Sequence, residues 1–139
     1  MRRKKGCLDT GVITLLYSKE PPDRIVMLFQ HIKTGALEAH VMHCVLSEVY
    51  SQLCKLKGGI VYAESCIGEF LTNYPVILVE FSKSLAMKSG QLKCQHRKEL
   101  SFIDCSIIAY ALNERITLHT TEKSFSKIVP ALQVREYSF

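Results

Sequence analysis

The chain has 139 residues, of which 47% are hydrophobic and 22% charged, and it carries a formal net charge of +5. This is an ordinary globular balance, long enough to bury one core without a staple, and no run approaches the roughly 18 apolar residues of a membrane span. We therefore expect a single domain over residues 1–139, with no membrane association and a basic surface compatible with a polyanionic partner.

The six cysteines are Cys7, Cys44, Cys54, Cys66, Cys94 and Cys105, and no two form a C-x-x-C pair. That argues against a zinc ribbon, and most of them lie in apolar stretches, where free cysteine packs as a small hydrophobe. The basic start, Met1 to Lys5, runs into Gly-Cys-Leu-Asp rather than a long apolar segment, so no signal peptide is expected. Together these features predict a protein of the reducing cytoplasm.

Strand and helix patterns alternate along the chain. Residues 6–9 read as a short strand running into a turn. Pro21-Pro22-Asp23 looks like a helix start, followed at helical spacing by Ile25, Leu28, Phe29 and Ile32 and stopped by Gly35. Residues 37–43 suit a second strand. A helix from Val45 shows Leu46, Val49, Leu53 and Leu56 on one face, and residues 60–71 read as another. The β-forming run at 76–81 predicts a strand buried on both faces of a parallel sheet. Residues 82–97 form a polar, basic helix or two short pieces. A strong helix spans 101–115, a strand 117–121, a short helix 125–132 and a last strand 134–137. This order predicts an α/β fold: a three-layer α/β/α arrangement around a mostly parallel sheet. In such folds, ligands bind beyond the carboxyl ends of the strands.

Four acids fall at those places. Asp9 directly follows a strand. Glu48 lies in the first turns of the Val45 helix, and Glu122 follows the 117–121 strand. Asp104 lies in the first turn of a very apolar helix, at helical spacing from Ile107, Ile108 and Ala111, so it shares the predicted buried stripe. A buried carboxylate requires a partner. As single residues each suits a helix cap or the helix dipole; the functional reading comes from all four standing where strand ends and helix starts converge. His40, His43 and Cys44 form an H-x-x-H-C string, but at strand spacing the two histidines face opposite sides, which argues against a metal site there.

These segments, in this order, resemble a known family. "LDTGVITLLY" is similar to the first motif of PIN domains, "LSEVY" to the second with its glutamate at Glu48, "LSFIDCSIIAYAL" to the third with Asp104, and "TTEKSF" to the fourth, Thr-x-Asp-x-x-Phe. The likeness runs from about residue 6 to 137, with one departure: Glu122 stands where the family usually has aspartate.

The resemblance implies a PIN-like fold and a VapC toxin-like ribonuclease that hydrolyses single-stranded RNA with magnesium or manganese held by Asp9, Glu48 and Asp104. Glu122 would support a second ion, and Thr10 and Thr120 would orient carboxylates or water. It also implies a small antitoxin partner and a homodimer. Lys88, Lys93, Arg97 and Lys98, with Arg2, Arg3, Lys4 and Lys5, are candidate phosphate contacts. The alternative is a catalytically inactive PIN-like module for RNA binding or assembly, which the departure at Glu122 keeps open. A flavodoxin-like nucleotide domain is a third reading, and no glycine-rich loop after the first strand supports it.

Overall fold

The computed structural model describes residues 3–138, so Arg2 lies outside them. The strands are β1 (Lys4–Leu8), β2 (Leu37–Met42), β3 (Ile77–Val79), β4 (Thr117–Thr120) and β5 (Val134–Glu136). The helices are α1 (Thr10–Leu16), α2 (Asp23–Thr34), α3 (His43–Leu53), α4 (Gly59–Asn73), α5 (Lys83–Gln95), α6 (Phe102–Glu114) and α7 (Phe125–Ile128), with a π-helical turn at Cys54–Gly58.

All pairings are parallel, in the order β3-β2-β1-β4-β5. The chain builds outward from β1 through β2 to β3, then returns to lay β4 on the other side of β1. Its direction of travel thus reverses between β1 and β4, and a crevice opens at the carboxyl ends of strands placed that way. Parallel neighbours need crossover helices, and right-handed crossovers put α1–α4 on one face and α5–α7 on the other. The packing agrees: α3 rests on α1 and α4, and α5 on α6. The three-layer α/β/α fold expected from the sequence is the one observed.

Local chemistry explains the main elements. Asp23 stands in the first turn of α2, where a carboxylate suits the dipole, and Gly35 ends the helix at φ 85°. That left-handed conformation suits glycine, which has no Cβ to clash. Ile25, Leu28, Phe29 and Ile32 are buried, as their spacing predicts. Phe29 meets Phe70 and Tyr74 edge-on at centroid distances of 6.2 and 5.3 Å, joining α2 to α4. In α6 every residue from Cys105 to Ala111 is buried, because the sheet lies under one side and α5 covers the other.

Helix α1 follows Asp9 as the first-motif resemblance implies, although its seven residues are too short to show a helical period of their own. Three expectations need correction. Strand β3 is shorter than the 76–81 run and is an edge strand rather than a buried one. It pairs only with β2, leaving Ile77 and Leu78 exposed. Leu56 is exposed because α3 ends at Leu53 and the π-turn that follows takes the chain off the helical stripe. Helix α7 stops at Ile128, since Val129 precedes Pro130 and is steered away from helical backbone.

Candidate active site

The crevice between β1 and β4 begins with Asp9, the residue after β1. Its backbone N–H donates to His119 O at 2.9 Å, extending the β1–β4 ladder by one step. Its side chain caps α1, Oδ1 accepting from Thr10 N at 2.7 Å, while Oδ2 accepts from Thr120 Oγ1 at 2.6 Å. The Thr120 hydroxyl in turn accepts from Glu122 N at 3.0 Å. That donor leaves the Thr120 proton one place to go, so the hydroxyl is oriented toward Asp9. The Thr10 hydroxyl is buried beside Asp9 and has no hydrogen-bond partner.

Asp9 is only 5% exposed. Burial pushes its carboxyl from the ordinary 3.8 up to about 6, the bonds from Thr120 and Thr10 oppose that rise, and the charges of Asp104 and Glu48 add to it. The three acids therefore feel one another across the crevice. Glu48 comes from α3. Asp104 stands at the third position of α6, where a capping box holds it: Ser101 Oγ accepts from Asp104 N at 3.1 Å, and Asp104 Oδ2 accepts from Ser101 N at 3.0 Å. It is half-buried, not part of the buried stripe, because the first turn of α6 faces the cleft.

Asp9, Glu48, Asp104 and Glu122 all line one cleft of about 400 Å³, together with Thr10, Gly11, Thr14, Gln52, Ser101 and Thr121. The four predicted acids are thus brought together, and Thr120 stands beneath Asp9. Among the described residues, no lysine, arginine, histidine or cysteine lines the cleft. An oxygen-only donor set with excess negative charge fits a hard divalent cation. Among the described residues, no three His, Cys, Asp or Glu side chains stand close enough together to enclose an ion, so the acids share a cleft without closing on one point.

The predicted cations are spread differently. Arg3 and Lys5 face Glu38 at 3.2 and 3.9 Å, near the amino end of β1 and away from the cleft. Lys88 is bonded to Asn113. Lys93 donates to the carbonyls of Arg97 and Leu100 at 2.8 and 2.6 Å, while Arg97 and Lys98 are exposed. His40 is buried between Tyr110 and Glu38, and His43 is exposed on α3, so the H-x-x-H-C string does not gather.

Gly11 and Thr121 are cleft residues that sequence reasoning missed. A Cβ at Gly11 would stand 2.2 Å from Thr121 Oγ1, so the β4–α7 turn sits directly on α1. No local pattern reveals a contact between residues so far apart in sequence.

The Thr120 link gives a first prediction. Thr120→Val keeps the shape but removes an acceptor from Glu122 N and a donor from Asp9, and a lost buried partner costs about 1–3 kcal/mol. The Asp9 carboxyl should rise further above about 6, since the Thr120 bond is the largest influence lowering it. A carbon-detected NMR titration of Asp9 in both proteins checks this. An unchanged midpoint would show that Thr120 does not govern the carboxylate.

A comparison with curated protein sequences returns no match. Solved structures do match in fold. The chain is similar to VapBC2 from Rickettsia felis, bound to a promoter DNA fragment, at TM-score 0.76 and 21% identity over 96% of this chain and 99% of that one. It is also similar to FitAcB from Neisseria gonorrhoeae, at TM-score 0.69 and 18% identity over 93% and 95%. A third is VapC20 from Mycobacterium tuberculosis, described as a sarcin-ricin loop cleaving toxin, at TM-score 0.64 and 16% identity over 81% and 86%. A family model, the PIN domain, matches residues 6–129. With that match spanning most of the chain and the motif acids gathered at the β1–β4 crevice, the chain belongs to the PIN-domain family.

Proposed function

We propose that the protein is an endoribonuclease that hydrolyses single-stranded RNA with magnesium or manganese, and that it acts in the cytoplasm as the toxin of a toxin–antitoxin pair. The observation that carries this reading is the convergence of Asp9, Glu48, Asp104 and Glu122 on one cleft that no cation lines. Family membership and the toxin–antitoxin neighbours support the nuclease class and a small antitoxin as partner. A homodimer belongs to the same reading. Among the described residues no helix is long and apolar enough to cross a membrane, and the cysteines are free.

Asp9, Glu48 and Asp104 would hold the ion, with Glu122 supporting a second. When bound, it supplies Lewis-acid stabilisation of phosphate charge and eases deprotonation of an attacking water. The chain's own residues supply placement. Thr120 and Thr10 N fix both Asp9 oxygens, so the carboxylate cannot swing when RNA enters. The capping box holds Asp104 through Oδ2 alone, and among the described residues Oδ1 has no protein hydrogen bond. In the metal-free protein the Asp9 carboxyl is raised to about 6, so protons compete with the cation for it and metal affinity should fall as the solution is made acid.

The second reading, a binding or assembly module without catalysis, rests on Glu122. Its side chain is exposed in the turn before α7, and it carries one methylene more than the family's aspartate. Incubation of purified protein with mixed-sequence single-stranded RNA separates the two. We expect cleavage with magnesium or manganese, none in chelator, and none from Glu48→Gln. Cleavage that resists chelator would overturn the mechanism, and RNA left intact under every metal would favour the module.

A further inference from the structure

We infer that Phe102 is a stacking platform that holds one unpaired RNA base at the rim of the cleft, a deepening that rests on the RNA-nuclease reading above. Phe102 is 67% exposed. Exposure alone means little, since single surface hydrophobes are common; its setting carries the argument. Phe102 opens α6 between Ser101 and Asp104, both of which line the cleft, so the capping box that orients Asp104 also fixes the backbone of Phe102.

The ring is braced from the other side as well. Lys93 Nζ lies over it, 5.4 Å from the centroid, and is itself anchored by the carbonyls of Arg97 and Leu100. A cation over one face leaves the other for a base, and such bracing reduces the entropy lost on stacking. The α5–α6 loop that holds Lys93 presents Arg97 and Lys98 to solvent, with no ion pair among the described residues. Exposed Arg97 and Lys98, then the Phe102 ring, then Asp104 follow one another within eight residues, with Glu99 the one acid between the cations and the ring and turned to His96 at 3.9 Å. Single-stranded nucleic acid is held by this combination: cations on the backbone and a ring under a base. The other large exposed hydrophobes lie on α2, on the π-turn and α4, around β3 and on α5, so Phe102 is the one on α6 among the described residues. The loop also gives a role to a basic segment that matches no family motif.

The chain has no tryptophan, so Phe102→Trp installs a single reporter. All measurements are made in chelator, which separates binding from cleavage. We expect short mixed-sequence single-stranded RNA to quench the Phe102→Trp emission and inorganic polyphosphate, which has no bases, to leave it unchanged. Phe102→Ala should weaken RNA binding about 5- to 150-fold. Its polyphosphate affinity and melting temperature should match wild type.

RNA affinity unaltered in Phe102→Ala would overturn the platform, as would equal losses for RNA and polyphosphate. A changed oligomeric state with RNA affinity intact would assign Phe102 to a protein interface instead. The underlying reading fails separately. Quenching of the Phe102→Trp emission by RNA, beside a wild-type protein that cuts no RNA with manganese, keeps the platform and removes the nuclease. Cleavage with unaltered Phe102→Ala affinity does the reverse.

Discussion

Asp9→Asn should reduce RNA cleavage by about 10³-fold or more if Asp9 holds the metal as proposed above, because the change would remove a ligand of a site worth several kcal/mol to the transition state. The same change should alter how the metal-free protein responds to pH. In the fold the Asp9 carboxyl is raised from 3.8 to about 6, chiefly by burial. The folded state thus binds a proton more tightly than the unfolded chain between those values. That contribution to stability is fully present below 3.8 and is lost as pH rises through about 6, to a total of about 3 kcal/mol.

Two other groups act in the opposite sense. His119 is held near 4 by burial, and Glu38 is lowered chiefly by its bond to His40, so both lose stability toward acid. Both are present in the variant and cancel in the comparison. Urea melts of the two proteins in chelator, at about pH 7.5 and about pH 4, should therefore show wild type gaining on Asp9→Asn by up to about 3 kcal/mol as pH falls. A difference independent of pH would mean that Asp9 is an ordinary carboxylate outside any crowded acidic site.

Gly11→Ala should destabilise the protein by about 1–3 kcal/mol and cut activity at least tenfold, an effect of overpacking. Helix propensity alone predicts the opposite sign, since alanine is favoured over glycine inside a helix by about 1 kcal/mol. The geometry decides. The new Cβ would lie 2.2 Å from Thr121 Oγ1 and 3.1 Å from Thr121 Cβ, so the turn carrying Glu122 must move. Thr121→Ala in the same chain removes the nearest atom and should restore much of both losses. A double-mutant cycle on melts and rates measures the coupling. Additive losses would show that the two residues do not bear on each other.

Sequence patterns revealed much of this architecture because several elements carry their own boundaries. Proline and aspartate open α2, glycine closes it, and the period of Ile25, Leu28, Phe29 and Ile32 sets its inner face. The acids were visible for a similar reason, each lying directly beyond a strand or in the opening turns of a helix. The misses concern information that no local window holds. Ile77 and Leu78 have the composition of a central strand, but strand order is set by the whole chain, and it leaves β3 at an edge. The stripe through Leu56 assumes uninterrupted α-winding, which the π-turn breaks. Asp104 shares a helical period with buried residues yet lines the cleft from the first turn of α6. The Gly11–Thr121 contact joins two motifs whose proximity exists only once β4 lies beside β1.

That pairing also bears on when the proposed activity would arise as the chain is made. β1 is the central strand and leaves the ribosome early, but its neighbour β4 is made more than a hundred residues later, and the Thr120–Asp9 bond spans 111 positions. Contacts this distant in sequence form late and slowly. Until Thr120 has emerged, Asp9 has no hydroxyl to hold it and Glu122 is absent from the rim. Under the proposed function, a growing chain would thus be inactive while it is being translated, and would gain activity only when the fourth strand docks.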